Sequence, residues 1–109
     1  MRIRQPKKVE FTLRRGKGWF EYLIVVRQTH MIEGVPGDEE NCPIALAIKE
    51  QMRERGLIDV RVYGDGIRIR LPSGDWWTGM PKLEWIRLYD RGIMTKPEPF
   101  IVRWSSESD

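Results

Sequence analysis

The chain has 109 residues, a net charge of +3, and 40% hydrophobic and 32% charged residues. This length fits one domain with one core, and the composition is that of a folded globular protein. No apolar run approaches the roughly 20 residues of a membrane helix, and the first residues lack the apolar core of a secretory signal. The single cysteine, Cys42, excludes an intramolecular disulfide and argues against structural zinc. We therefore expect a cytoplasmic protein without a membrane partner.

The first 13 residues are expected to form a basic arm followed by a strand. Residues 1–18 hold seven basic side chains and one acidic one, and we expect residues 1–8 to be the arm. Val9–Leu13 alternates apolar and polar residues, as a half-buried strand does. A turn over Arg15–Gly18 then leads into a second strand over Trp19–Val26, which is rich in aromatic and β-branched residues.

A helix is predicted after the Gly- and Pro-containing loop over residues 34–38. Asn41 or Cys42 is the candidate N-cap, with Pro43 at the first helical position and Gly56 as the C-terminal stop. Leu46 lies off the apolar stripe, which suggests contact with a second subunit. The stripe itself consists of Ile44, Ala45, Ala47, Ile48 and Met52.

The second half of the chain contains the clearest hairpin. Ile58–Val62 and Ile67–Leu71 each alternate strictly, and Tyr63–Gly66 between them is a hairpin turn signal. A second helix is predicted over Pro81–Arg91, with Leu83, Ile86 and Tyr89 or Asp90 on one side. Phe100–Trp104 is predicted to be the last strand.

These elements predict the order β-β-α-β-β-α-β in a single domain over residues 1–109. We expect an α+β fold in which two helices cover one face of a mostly antiparallel sheet. Residues 105–109 are expected to form a flexible acidic tail.

No recognised enzyme motif is present, and we expect no catalytic residue, cofactor or metal. Cys42 and His30 are the only residues that could form a thiol–imidazole pair. A packing or capping role is the stronger interpretation for Cys42, since free cysteines are usually buried, and His30 is expected at the surface or at a cap. The carboxylates of Asp38, Glu39 and Glu40 are expected to be a solvated cluster at a helix start.

The alternation of the third and fourth strands predicts a row of arginines. If the valines and isoleucines face the core, then Arg61, Arg68 and Arg70 emerge together on the other face. Trp76 and Trp77 follow in a predicted loop. Guanidinium groups beside an indole suit bases and phosphates, so the sequence predicts a site for a nucleotide-like anion. Solvated arginines and core-capping tryptophans are the alternative.

The N-terminal hairpin offers a second candidate interface. Its turn carries Arg14, Arg15 and Lys17 next to Trp19 and Phe20. Positive charge beside aromatic rings is the pattern that binds single-stranded nucleic acid. A solvated edge hairpin protected by its charges is the alternative here.

The segment from Thr29 to Ala47 resembles the core of a group of small phage-encoded proteins. The shared pattern is Gly…Asp-x-x-x-Cys-Pro-Ile-Ala-Leu-Ala, and its part from Asp to the last Ala is Asp38–Ala47 here. Members of the group continue with strands, a helix ending in aromatic-Asp-x-Gly, and Pro-Phe before a last strand. The counterparts here are Tyr89–Gly92 and Pro99-Phe100. The resemblance covers roughly residues 23–104 and excludes both the N-terminal hairpin and the Trp76-Trp77 pair.

The resemblance implies a phage origin and location in the host cytoplasm. Small phage proteins often act on host defence, so it suggests a non-enzymatic protein that sequesters a nucleotide immune signal. The alternatives are a nucleic-acid-binding protein that uses the basic hairpin, a protein inhibitor of a host enzyme and, least favoured, an enzyme using Cys42. A homo-oligomer is expected, because a small sheet domain forms a deep pocket most easily between subunits.

Overall fold

The structure is a computed structural model that describes residues 12–81, 84–93 and 96–107. It is an α+β domain with six strands, three α-helices and one short 3-10 helix in the described ranges. The α-helices are α1 (Gln28–Glu33), α2 (Pro43–Gln51) and α3 (Glu84–Asp90). The strands are β1 (Thr12–Gly16), β2 (Trp19–Ile24), β3 (Asp59–Tyr63), β4 (Gly66–Arg70), β5 (Trp76–Gly79) and β6 (Phe100–Ser106).

All six strands form one antiparallel sheet in the order β1-β2-β6-β5-β4-β3. The last strand, β6, therefore lies at the centre and joins the N-terminal hairpin to the β3-β4-β5 meander. In register, Trp19 lies opposite Ser105 of β6, and Ser105 lies opposite Thr78 of β5. This central position brings residues from both ends of the sequence onto neighbouring strands.

One face of the sheet packs on the helices and forms the core. The inward side chains alternate along each strand, as the pleat requires, and α2 contributes an apolar stripe against them. Tyr89 of α3 fixes the third helix by donating a hydrogen bond to the carbonyl of Gly34 at 2.7 Å. The buried core residues include Phe20, Tyr22, Ile24, Ile44, Ala45, Ala47, Ile48, Met52, Val60, Ile67, Ile69, Val102 and Trp104. We call this side of the sheet the covered face and the other side the open face.

The predicted main helix is present, with Cys42 as its N-cap and Pro43 at its first position. It is shorter than predicted, because α2 ends at Gln51 and a 3-10 helix over Arg53–Arg55 continues the chain. Gly56 ends that 3-10 helix with φ of 72°, a conformation that glycine adopts without steric cost. Gly56 thus ends the helical segment as predicted, although the turn that it ends is the 3-10 helix and not α2.

The order β-β-α-β-β-α-β is wrong in two places, because it lacks α1 and β5. The helix α1 has six residues and carries only His30 and Met31 in the core, so its apolar pattern is too short to detect. The strand β5 has four residues and begins at the Trp76-Trp77 pair, which the sequence placed in a loop. Its pairing with both β4 and β6 makes it a strand.

The two ends of the sheet also differ from expectation. The described part of β1 continues past Leu13 to Gly16, so Arg15 and Gly16 belong to the sheet although the sequence placed them in a turn. The basic arm, Val9–Phe11 and Leu83 lie outside the described residues. The strand β6 extends through Ser106, so Ser105 and Ser106 belong to the sheet although the sequence placed them in a tail. Ser108 and Asp109 lie outside the described residues.

Candidate functional site

The open face carries most of the residues that the sequence selected as candidate ligands. Register places Arg61 opposite Arg68, and Arg70 opposite Trp76. The predicted row of three arginines on one face is therefore confirmed. The described helices pack on the covered face, so these side chains meet solvent. Five arginines and three carboxylates alternate with the core residues and share the open face, namely Arg14, Arg61, Arg68, Arg70 and Arg103 with Glu21, Asp59 and Glu107.

Trp76 is the centre of one group on this face, which we call the Trp76 cluster (Arg68, Arg70, Trp76 and Glu107). The guanidinium carbon of Arg68 lies 4.4 Å from the centroid of the indole ring, and that of Arg70 lies 5.9 Å away. Both distances are within the range of cation–π attraction. Arg70 also donates a hydrogen bond from Nε to the carbonyl of Gly74 at 3.3 Å. No carboxylate among the described residues pairs with Arg70.

Arg68 does have a carboxylate partner, which the sequence analysis did not find. Glu107 accepts hydrogen bonds from Nε and Nη2 of Arg68 at 3.0 and 2.9 Å. It also accepts one from Oγ1 of Thr78 at 2.6 Å. The hydrogen bonds from Arg68 and Thr78 lower the pKa of Glu107.

Arg61 is paired as well and lies apart from the Trp76 ring. Its guanidinium contacts Glu40 at 3.0 Å and Asp59 at 3.6 Å, with Glu39 at 4.0 Å. Asp59 on the same strand thus neutralises part of the charge of Arg61, and the loop before α2 adds the carboxylates of Glu39 and Glu40. Arg61 therefore contributes least to any anion site on this face.

Trp77 belongs to the covered face. It lies opposite the buried Ile69, and its ring meets Phe20 edge-on with centroids 5.1 Å apart. Since successive side chains of a strand point to opposite faces, Trp76 and Trp77 cannot both line one site. The indole N–H of Trp77 is buried and has no hydrogen-bond partner in the described part of the chain.

A second group on the open face is built in the same way and is called here the Trp19 cluster (Arg14, Trp19, Glu21 and Arg103). The guanidinium carbons of Arg103 and Arg14 lie 4.5 and 5.9 Å from the Trp19 ring centroid. Glu21 pairs with Arg14 at 2.7 Å and with Arg103 at 3.6 Å. The indole lies against Gly16, where a Cβ would overlap it, so the glycine gives the ring room over β1.

The predicted hairpin interface is brought together only in part. Arg14 and Trp19 share the open face, whereas Arg15 lies opposite the buried Phe20 and therefore on the other side of β1. Lys17 is exposed in the turn. Arg103 was missed, because it lies 84 residues after Trp19 in sequence and only the central position of β6 makes them neighbours. The only sequence feature that could have placed Arg103 on the open face is the alternation of apolar and polar residues in the last strand.

The two tryptophans are two strands and two residues apart. Trp19 and Thr78 lie on either side of Ser105, which is the register partner of both. Trp76 lies two residues before Thr78 on β5 and on the same face. Strand spacing and rise per residue then put the two Cα atoms about 12 Å apart. One base cannot stack on both rings, but two bases of one extended strand can.

A pocket lies on the covered side of the sheet. Its volume is about 550 Å³, and it lies between the start of α2, the β3-β4 turn and α3. Among its described lining residues are three carboxylates, of Asp38, Asp65 and Asp90, and one basic side chain, that of Arg87. An excess of carboxylates disfavours an anionic nucleotide in this cavity.

The thiol–imidazole pair is not supported by the geometry of His30. The imidazole Nδ1 accepts a hydrogen bond from the backbone N–H of Arg27, and Nε2 lies 2.6 Å from the Glu50 carboxylate. Both ring nitrogens thus have hydrogen-bond partners at the start of α1, which makes His30 a capping residue, one of the two roles expected for it. The other expectation, a position at the surface, is wrong, because His30 is buried. Burial raises the pKa of the Cys42 thiol, which opposes formation of a thiolate.

In the carboxylate cluster before α2, Asp38 has a structural role in the turn that leads into the helix. Its Oδ1 accepts backbone N–H bonds from Glu40 and Asn41, both at 2.9 Å, which lower the pKa of the carboxyl. Among the residues that the structure describes, no three His, Cys, Asp or Glu side chains are grouped to hold a metal ion. Nor does any helix within the described ranges have the length and apolarity to cross a membrane.

The two segments that carry the resemblance to phage proteins meet in the structure. Besides the Tyr89–Gly34 bond, the backbone N–H of Gly37 donates to Asp90 at 3.0 Å. These contacts join α3 to the turn before α2, so the shared residues build this corner of the fold. Comparisons with protein-family models, curated proteins and solved structures found no match. The resemblance therefore stays a prediction.

Proposed function

We propose that this protein is a non-enzymatic binder of single-stranded nucleic acid and that its ligand lies across the open face. The observation that supports this proposal is the presence of two arginine–tryptophan clusters on one continuous sheet surface. Arginine planes and indole rings both stack on unpaired bases, and guanidinium groups also bind phosphates. In this proposal Arg14 and Trp19 from one sequence-selected group and Arg68, Arg70 and Trp76 from the other form two parts of one interface.

The shape of the surface favours an extended ligand. A mononucleotide gains affinity from enclosure, which buries most of its surface, whereas this face is an open sheet. A strand that crosses both clusters gains two stacking contacts of about 1–3 kcal/mol each from Trp19 and Trp76. The acidic pocket behind the sheet offers no comparable site to a polyanion.

The charge of the surface points to the same ligand. The clusters contain four arginines against two carboxylates, Glu21 and Glu107. Arg70 has no described carboxylate partner and is the first candidate for a phosphate contact. Binding should weaken as salt rises, because each neutralised phosphate of a single strand releases counterions.

The test is a titration of an end-labelled single strand of about ten nucleotides, a length within the range of small single-strand-binding sites. Fluorescence anisotropy should show micromolar or tighter binding, with no preference for the matching duplex. Arg70→Ala should weaken binding, whereas Arg53→Ala, which removes an exposed charge of the 3-10 helix, should have little effect. Equal effects of the two substitutions, or tighter binding of the duplex, would contradict the proposal.

Sequestration of a small nucleotide signal by a phage protein is the second candidate function. The Trp76 cluster alone favours it, since one indole and two guanidinium groups suffice for a dinucleotide. Its predicted signature is different, because a dinucleotide should bind as tightly as a long strand and with weak salt dependence. Calorimetry with cyclic and linear dinucleotides separates the two candidates.

A homo-oligomer and a location in the host cytoplasm are part of this second candidate. Leu46 is half-buried within the chain, and Ile101 is exposed on the open face opposite the half-buried Leu23. Apolar side chains of this kind are common in the contacts between subunits of homodimers. Sedimentation equilibrium should give a dimer, and a mass near 13 kDa at high concentration would contradict it.

A further inference from the structure

The carboxylate of Glu107 occupies a site formed by donors from two other strands. Arg68 of β4 supplies two N–H groups at 3.0 and 2.9 Å, and Thr78 of β5 supplies a hydroxyl at 2.6 Å. Three donors converging on one anionic group is more than a simple surface ion pair requires. A forked guanidinium beside a hydroxyl matches the oxygens of a phosphate as well as those of a carboxylate.

The group that fills this site is an exposed side chain just after the last strand. Glu107 follows β6, and its backbone N–H is held by the carbonyl of Trp76 at 2.9 Å. Its side chain is 35% exposed, so an incoming anion has access to the same donors. Arg70 lies on the same tryptophan and forms no ion pair with a described carboxylate, so it adds a second guanidinium group beside the site.

We propose that Arg68 and Thr78, with Arg70 beside them, form a subsite for the terminal phosphate of a bound strand, which displaces the carboxylate of Glu107. This inference rests on the proposed function, because it assumes that a nucleic-acid strand crosses the open face. In the free protein Glu107 stands in for the phosphate. The adjacent Trp76 then lies where the terminal base would stack.

A terminal phosphate is favoured over an internal one by its charge. A phosphate monoester carries a charge of about −1.5 to −2 at neutral pH and has three free oxygens. An internal phosphodiester has one charge and two free oxygens. It gains little by displacing a carboxylate of equal charge that is already attached to the protein. The site therefore selects strand ends.

The test compares three strands of about ten nucleotides that carry a 5′-phosphate, a 3′-phosphate or neither. Wild-type protein should bind one phosphorylated strand at least fivefold more tightly than the unphosphorylated one. Thr78→Val should reduce this preference. Glu107→Gln should tighten binding of the unphosphorylated strand about threefold, because the internal competitor loses its charge.

Glu98→Gln is the matched control, since it makes the same change of charge at an exposed residue before the other end of β6. It should leave both the affinity and the phosphate preference unchanged. Equal binding of all three strands, or a preference that Thr78→Val and Glu107→Gln leave intact, would overturn the subsite while the proposed function stands. Failure of every strand to bind would overturn the proposed function.

Discussion

Different interactions stabilise the side chains on the two faces of the sheet. The covered face is a continuous apolar core in which Trp104, Ile48 and Ile69 are fully buried. The open face is a set of ion pairs and cation–π contacts between half-exposed side chains. Burial stabilises a fold strongly, whereas exposed ion pairs contribute about 0–1 kcal/mol each. The covered face should therefore determine the stability of the fold. Side chains on the open face can change partners when a ligand binds at little cost in stability.

The largest expected effect is on the covered face. Trp104→Ala should lower the free energy of unfolding by about 3–5 kcal/mol, because it leaves a cavity at the centre of the core. Trp76→Ala on the neighbouring strand should cost about 1 kcal/mol or less, as expected of a surface residue in an ion-pair network. Urea denaturation measures both. Similar losses for the two variants would remove the distinction between the faces.

A smaller effect is expected at the start of α2. Cys42→Ser should destabilise the fold modestly, by about 1 kcal/mol or less, because burial of the more polar hydroxyl is partly offset by the N-cap hydrogen bond that serine can accept. Binding of nucleic acid should be unchanged. The native thiol should also react slowly with a bulky reagent at neutral pH, since burial raises its pKa. Rapid labelling that abolishes binding would assign Cys42 to the functional surface instead.

His30 should make stability depend on pH. Burial, followed by the charge of Arg27, lowers the pKa of the folded imidazole below its ordinary value of about 6.5. The unfolded chain then binds more protons as the pH falls, so the contribution of His30 is complete above 6.5 and is lost as the pH falls through the folded pKa. Urea midpoints between pH 7.5 and 5 should fall less in His30→Gln than in the wild type. A wild type that gains stability toward pH 5 would contradict this assignment.

The difference between the faces also explains what the sequence could predict. The core strands and α2 were predictable because alternation and an apolar stripe record burial directly, as Val60, Ile69 and Ile48 show. The row of arginines followed from the same alternation. The strand β5 was hidden because its four residues are too few to show a period.

The partners on the open face depend on strand order, which local patterns do not encode. Arg103 reaches Trp19, and Glu107 reaches Arg68, only because β6 is inserted between β2 and β5. The sequence separation between Arg68 and Glu107 is 39 residues. Trp76 and Trp77 show the same limit, since the period places them on opposite faces but only the fold shows which one packs against the core.

The central claim is that the open face binds a single strand through both tryptophans. The most direct measurement is the affinity of a single strand of about ten nucleotides for the wild type, for Trp19→Ala, for Trp76→Ala and for the double variant. Each single substitution should weaken binding by about 1–3 kcal/mol, and the double variant by roughly the sum, while the urea midpoint changes little. Wild-type affinity in the double variant, with its fold intact, would contradict the account.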